Sequence, residues 1–417
     1  MPPKRKSVRA AESEAKRAKA EESVPPTKFK LTWDQAGEAT SKGVQPLLFL
    51  DGPDAVHSES VAGFDIDWTI IRTKSGKKFG QGADDWLFLN DKVAPKLKEL
   101  HDAGTKIVFF TNQGGIEKGH TDVDTFCKKI GNIIDAAGVP IQVFASTGAD
   151  HFRKPSTAMW KYMEEKCNGG VKIDPSKSLY VGDAAGRPKN WKPNTSKDFS
   201  CGDRKFAVNL GVKFSTPEEF FMGDEPYANF EWLTLNPKEF YEKIKDEKPP
   251  ERLHSDAQEM VVMVGRPASG KSFITKHYFT PHGYVQVNRD TVGTQEKCLK
   301  MATSAFKEGK SVVVDNTNPK KDVRKPYINL AMKNKVPVRC IYIDIPTELS
   351  HHLNYVRQNQ TKGKVRRIPE VAYRTYEKYL EKPDVGEGFA EVKNVGFIPH
   401  FDSEDDKEIF LQWTSNV

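Results

Sequence analysis

Cysteine is sparse and unpatterned in this chain. The five residues, Cys127, Cys167, Cys201, Cys298 and Cys340, are odd in number, lie far apart and form no C-x-x-C or Cys/His pattern. That excludes a disulfide framework and a cysteine-based zinc site, and points to a reducing compartment. Long apolar runs are also missing. None approaches the roughly eighteen residues that a membrane-spanning helix needs, so no membrane association is expected. An excess of one charge sign is nearly absent: 64 Lys and Arg against 57 Asp and Glu leave a net charge of +7, which permits a polyanionic partner without requiring one. The opening of the chain lacks apolar mass. Lys4-Arg5-Lys6, Arg9, Lys16-Arg17 and Lys19 are set among Ala, Glu, Ser and Pro, so residues 1–45 are expected to be a disordered basic tail. Its two basic clusters, about ten residues apart, look like a bipartite nuclear-import signal, and a nuclear location is expected; a solvating tail or a loose anchor for nucleic acid is the other reading.

What is present is mass enough for two cores. The 417 residues are 37% apolar and 29% charged, the balance of a chain with two globular units and tails. One stretch divides it. The apolar run Met260 to Val264 leads into Gly265-Arg266-Pro267-Ala268-Ser269-Gly270-Lys271-Ser272, and a segment with helical character follows. A Gly-x-x-x-x-Gly-Lys-Ser loop between a buried strand and a helix aims backbone N–H groups and the helix N-terminus at a phosphate. Lys271 then reaches the β and γ phosphates of ATP, and Ser272 ligates the Mg²⁺ that bridges them. Such a loop opens its own domain, so the residues upstream need a separate account.

Upstream, Leu47 to Leu50 reads as a short strand, and Val61 to Phe64 is an apolar strand running into Asp65 and Asp67. Carboxylates at the carboxyl end of a buried parallel strand belong at the mouth of an α/β sheet. One aspartate can attack phosphorus while the other, two residues on, serves as general acid and base. Further strands end in polar residues: Lys106 to Phe110 in Thr111, Gln142 to Ser146 shortly before Lys154, and Ser178 to Val181 before Asp183. Strands alternating with helical segments imply right-handed βαβ units, which bring these residues to one mouth. There Thr111 and Lys154 can hold phosphoryl oxygens while Asp65 and Asp183 hold a divalent cation.

The strings FDIDWT, FFTNQGG, HFRKPS and YVGDAAGR resemble the four motifs of the haloacid dehalogenase phosphatase superfamily. AGFDIDWTIIRTKSGKKF, YVGDAAGRPKNW and DFSCGDRKFAVNLG resemble the phosphatase domain of the eukaryotic polynucleotide kinase 3′-phosphatase family. The resemblance implies Asp65 as nucleophile, Asp67 as general acid/base, Thr111 and Lys154 as phosphate holders, and a Mg²⁺ site built from Asp65, Asp67 and Asp183, with Asp203 as a displaced acid of the fourth motif. Where that family usually has glycine this chain has Trp68. Members in animals commonly carry a forkhead-associated domain; the segment before Asp65 is too short for one, so docking through it is not expected.

The resulting expectation is α/β: two doubly wound parallel-sheet domains, a haloacid dehalogenase-like phosphatase over 46–250 and a P-loop kinase over 251–417, the pair a monomer. The charged, proline-bearing Asp246 to Glu251 is read as the linker. In the second domain, strands end at Asp290 and Asp315. Asp290 suits the base beside an acceptor hydroxyl, and Asp315 is either a second site carboxylate or a turn cap. The basic stretch from His351 to Arg367 resembles the kinase lid of the family, which makes Arg357 a phosphoryl-stabilising arginine, alone or helped by Arg366 or Arg367, with Tyr355 standing where a second arginine is common. Tyr373, Tyr376 and Tyr379 are spaced to pack one helix face on the core. The expected substrates are DNA termini, 3′-phosphate and 5′-hydroxyl. RNA ends, a metabolite phosphatase–kinase fusion and a scaffold with degenerate sites are the alternatives.

Overall fold

A computed structural model describes residues 29–40, 42–52 and 54–414; the basic clusters between Lys4 and Lys19 lie outside them. The first unit is a seven-stranded sheet in the order β1-β2-β7-β6-β3-β8-β9. Its strands are β1 (Trp33–Ala36), β2 (Leu47–Leu50), β3 (Val61–Phe64), β6 (Lys106–Asn112), β7 (Gln142–Ser146), β8 (Leu179–Val181) and β9 (Lys213–Ser215), while β4 (Ile71–Arg72) and β5 (Leu87–Phe88) form a small separate hairpin. Central β3 pairs in parallel with both β6 and β8.

Alternation along β6 shows how the sheet is covered. Ile107 and Phe109 join one apolar cluster and Val108 and Phe110 the other, so both faces are packed and the strand reads as an unbroken apolar run. Phe110 contacts the rings of Phe144, Trp160 and Phe206, and truncating it to alanine would cost about 3–5 kcal/mol. The helix Val123–Ala137 covers one face. It starts at Asp122, whose carboxylate accepts from the Thr125 N–H at 2.9 Å, and stops at Gly138 with φ +72°.

The second unit is a five-stranded sheet, order β11-β12-β10-β13-β14, every neighbour parallel. Its strands are β10 (Met260–Gly265), β11 (Val285–Val287), β12 (Val312–Val314), β13 (Val338–Ile343) and β14 (Glu391–Val395). Met260, Val262 and Val264 enter one cluster and Val261 and Met263 the opposite one, as in the first sheet. All five carboxyl ends therefore share one edge.

Three expectations are corrected. Order begins inside the stretch read as tail: β1 pairs antiparallel with β2, and Trp33 packs edge-on against Phe126 at 5.9 Å. The first sheet is not wholly parallel, because β2 also runs antiparallel to β7. The boundary expected at residue 250 falls after a helix that packs on the second unit. The helix Pro237–Ile244, capped by Asn236, sets Phe240 against Phe397 at 6.0 Å and Tyr241 against Phe401 at 6.0 Å, so it belongs to the second unit and the boundary moves upstream of Pro237. Among the described residues no helix is long and apolar enough to cross a membrane.

Candidate active sites

The mouth of the first sheet brings Asp65, Lys154, Asp183 and Asp203 together. Lys154 is 3% exposed, and its Nζ lies 2.7 Å from Asp65 Oδ1, 2.7 Å from Asp203 Oδ1 and 2.7 Å from the Tyr180 hydroxyl. Burial works against its ammonium, yet Asp203 and Asp65 outweigh that and raise its pKa. Asp203 comes from the first turn of the helix Gly202–Leu210, and its Oδ2 accepts from the Ala184 N–H at 3.1 Å. Gly182 makes room for it: a Cβ there would lie 2.4 Å from Asp203 Cγ.

Carboxylate oxygens of Asp65, Asp183 and Asp203 lie within 4.8 Å of one another. Burial, offset by Lys154 and reinforced by Asp203, raises Asp65 to about 7. Asp183 is raised well above the carboxylate range by burial and by the charges of Asp65 and Asp203. One ammonium does not balance three acids. A hard divalent cation, which prefers oxygen donors, would let all three ionise, and the donor set fits Mg²⁺.

Asp67 stands apart from that cluster, contrary to its expected place among the metal-holding groups. Its side chain is half exposed; Oδ2 accepts from Gln113 Nε2 at 3.0 Å and Oδ1 from Lys129 Nζ at 3.2 Å. Gln113 also donates to Thr111 Oγ1 at 2.9 Å, which ties the two residues to one amide. Sequence reasoning missed Gln113, Lys129 and Tyr180. Gln113 sits inside the FFTNQGG string, whereas Lys129 is on a distant helix and carries no local signal. Trp68 adopts φ +63° and is 41% exposed. That left-handed backbone favours glycine, so the residue usual in the family is the one the turn prefers.

The second mouth is a cleft of about 910 Å³ lined by Pro267 to Ser272, Asp290, Asp315 and Arg357, among others. Ala268 (φ +55°) and Gly270 (φ +93°) place left-handed residues in the loop, the geometry that turns successive N–H groups into a nest for anions. Lys271 is buried, and its Nζ donates to Gly265 O at 3.0 Å and to Arg266 O. Burial, partly opposed by the charge of Asp315, brings its pKa down to about 8.

Asp315 is 1% exposed; Oδ2 accepts from Gln286 Nε2 at 2.7 Å, while Oδ1 is buried without a hydrogen-bond partner among the described residues. Such an orphaned acceptor fits a cation or its hydration shell. Asp290 is exposed to the cleft, its N–H capped by Asn288 Oδ1 at 2.8 Å. Arg357 Nη2 donates to Asn354 Oδ1 and to Arg366 O, both at 3.2 Å.

Other calls shift. Arg266 keeps only its backbone in the loop. Its guanidinium turns away to Ile345 O at 3.1 Å and Asp344 at 3.5 Å, where it meets an acid and a carbonyl instead of the cleft. Arg366 and Arg367 do not line the cleft beside Arg357: both line a separate pocket of about 540 Å³ between the two units, Arg366 supports Arg357 only through its carbonyl, and Arg367 lies over the Tyr355 ring at 4.2 Å. Tyr373 and Tyr376 are buried as expected, but Tyr379 is 38% exposed, lines the cleft, and holds Lys320 over its ring at 3.8 Å.

Comparison with known proteins matches this geometry unit by unit. Residues 60–221 match the family model described as polynucleotide kinase 3 phosphatase, and residues 260–383 match a model described as AAA domain. The chain is 40% identical over 346 residues to the bifunctional polynucleotide phosphatase/kinase of Schizosaccharomyces pombe, covering 82% of this chain and 81% of that protein. It is 35% identical over 362 residues to the putative bifunctional polynucleotide phosphatase/kinase of Acanthamoeba polyphaga mimivirus, covering 81% and 84%. The polynucleotide 3′-phosphatase of Saccharomyces cerevisiae is 29% identical over 222 residues, matching 40% of this chain and 89% of its own. On that evidence the chain belongs to the bifunctional polynucleotide phosphatase/kinase family.

Proposed function

We propose that the protein heals DNA ends, removing a 3′-phosphate in its first unit and transferring the γ-phosphate of ATP to a 5′-hydroxyl in its second. The observation that carries this is the pairing, on one chain, of a Lys154 ammonium 2.7 Å from both Asp65 and Asp203 with a P-loop cleft that opens onto Asp290.

In the phosphatase, Asp65 attacks phosphorus and becomes the aspartyl-phosphate as the 3′-oxygen departs. Asp67, kept outside the carboxylate cluster by Gln113 and Lys129, is free to protonate that oxygen and then to take a proton from the attacking water. Lys154 and Thr111 hold the phosphoryl oxygens. Asp65, Asp183 and Asp203 would hold Mg²⁺, which when bound neutralises phosphate charge.

In the kinase, Asp290 takes the proton of the 5′-hydroxyl, Lys271 leaves its carbonyl partners for the β and γ phosphates, and Arg357 faces the transferring group. Ser272 and Asp315 would hold the Mg²⁺ of ATP. Together the products are a 3′-hydroxyl and a 5′-phosphate, the two ends that strand joining requires, which supports a DNA-repair role; a nuclear location rests on the basic clusters between Lys4 and Lys19.

The test uses end-labelled DNA and RNA oligonucleotides bearing 3′-phosphate or 5′-hydroxyl, with and without Mg²⁺ and ATP, against a generic phosphate ester. Faster turnover of the DNA ends at both sites is expected, and affinity should fall with log salt at about 0.7 per phosphate contacted. Preference for RNA or the simple ester would reject the DNA reading. A fluorescent fusion lacking residues 1–25 is expected to lose nuclear enrichment; unaltered accumulation rejects the import signal.

A further inference from the structure

After its last helix, Glu404–Leu411, the chain stays tied to the kinase unit on both sides of Trp413, which reaches across to the phosphatase unit. The tie is His352, a buried residue on the same helix as Arg357, whose ring nitrogens lie 2.8 Å from Thr414 Oγ1 and 2.8 Å from Phe410 O. Across the gap, Trp413 is 4% exposed and stacks on Trp232 with ring centroids 4.5 Å apart and planes 16° from parallel.

The polar contacts at that landing point are specific. The Trp413 N–H donates to Asn209 Oδ1 at 2.8 Å, and Asn209 Nδ2 donates to Trp413 O at 2.8 Å and to Pro155 O at 2.8 Å. Asn209 is on the helix Gly202–Leu210, whose first turn supplies Asp203. Pro155 directly follows Lys154. The helix thus grips the Lys154–Pro155 segment twice, through Asp203 at the ammonium and through Asn209 at the next carbonyl. Residues of the kinase half close the second grip.

We propose that Asn209, held by the backbone of Trp413, is a positioning residue for the 3′-phosphatase reaction, fixing the Pro155 carbonyl and with it the aim of Lys154 at the phosphoryl oxygens. This rests on the reading that Lys154 holds phosphate. An alanine at position 209 strips partners from Pro155 O and from both polar backbone groups of Trp413. Lys154 keeps its charge and the Asn112 side chain on its own backbone N–H and carbonyl, at 2.9 and 3.2 Å, but the peptide that follows it is released, so phosphate is held less well without any catalytic group being removed.

The readout is the competitive inhibition constant of inorganic phosphate against the phosphatase of the full chain, a per-site quantity that loss of folded protein does not move. Asn209→Ala is expected to raise it about five- to tenfold, the size of one or two lost hydrogen bonds, while its KM for ATP in the kinase assay stays within about twofold. Ending the chain after Gln412 leaves Asn209 intact and should raise the constant similarly; Trp413→Phe, which keeps backbone and ring, should restore the wild-type value. An unchanged constant in both Asn209→Ala and the shortened chain, with Lys154→Ala raising it, overturns the proposal. An unchanged constant in Lys154→Ala overturns the reading beneath it.

Discussion

The two mouths are assembled to opposite degrees. In the first, Lys154, Asp65 and Asp203 are already locked at 2.7 Å and nearly closed to solvent. In the second, Asp290 is exposed, Arg357 bonds to Asn354 and Arg366 of its own lid, and a cleft of about 910 Å³ stands open. The contrast follows the chemistry. A covalent mechanism whose nucleophile belongs to the protein gains from fixing reacting atoms before substrate arrives. Direct transfer between two bound substrates needs room for both, and the nucleotide brings the charges that organise the site.

The sharpest way to break the comparison is to remove the proposed nucleophile. Asp65→Asn is expected to lower 3′-phosphatase kcat by on the order of 10⁴-fold or more and to leave kinase kcat within about twofold. Both activities lost in a variant with a normal thermal transition would mean interdependent sites. Next in size, Asp67→Asn should cost roughly 10²–10⁴ in phosphatase rate, and Lys271→Ala roughly 10²–10³ in kinase kcat/KM, each measured alongside the activity it should spare.

A smaller effect distinguishes the two lysines by pH. In the free enzyme Lys271 has a pKa brought down to about 8 by burial, whereas that of Lys154 is raised by Asp203 and Asp65. Lys271 is charged below about 8 and loses its charge as pH rises through it. Kinase kcat/KM for ATP should therefore fall along an alkaline limb centred near pH 8, and the limb should be missing from the phosphatase profile. A flat kinase profile to pH 9 would erase the distinction. Smallest of all is the turn at Trp68. Because φ is +63°, Trp68→Gly should be more stable than Trp68→Ala by about 1 kcal/mol, read from denaturant midpoints of the two variants; equal midpoints would remove the strain argument.

Legibility in the sequence followed the same division. Asp65, Thr111 and Asp183 could be read because each ends or follows a continuous apolar strand, and the topology of such sheets fixes where strand ends meet. Lys271 and Ser272 could be read because the loop that presents them is contiguous. Lys129 and Tyr180 could not. Their roles arise from packing between elements far apart in the chain: Lys129 has no neighbour in sequence that announces it, and Tyr180, though it opens the YVGDAAGR string, reads there as one more residue of an apolar strand.

β1 was hidden for another reason: Trp33-Asp34-Gln35-Ala36 is a polar edge strand, only half-buried, with too little apolar alternation to mark it. The helix Pro237–Ile244 was hidden by its composition. Lysines and glutamates cover its outer side, and only Phe240 and Tyr241 show that it packs. Arg366 and Arg367 were assigned to the lid because charge runs carry no direction, and the fold turned them to the pocket between the units.

The resting bonds of Lys271 to Gly265 O and Arg266 O have a kinetic consequence. Arrival of nucleotide is an exchange of partners, not the capture of a bare buried cation, so the net gain on loading is reduced by what the carbonyls give up. Departure benefits by the same amount. When spent nucleotide leaves, the ammonium has a ready seat and no unpaired charge is stranded in a dry site. The loop thereby favours clearance of nucleotide over its tight retention.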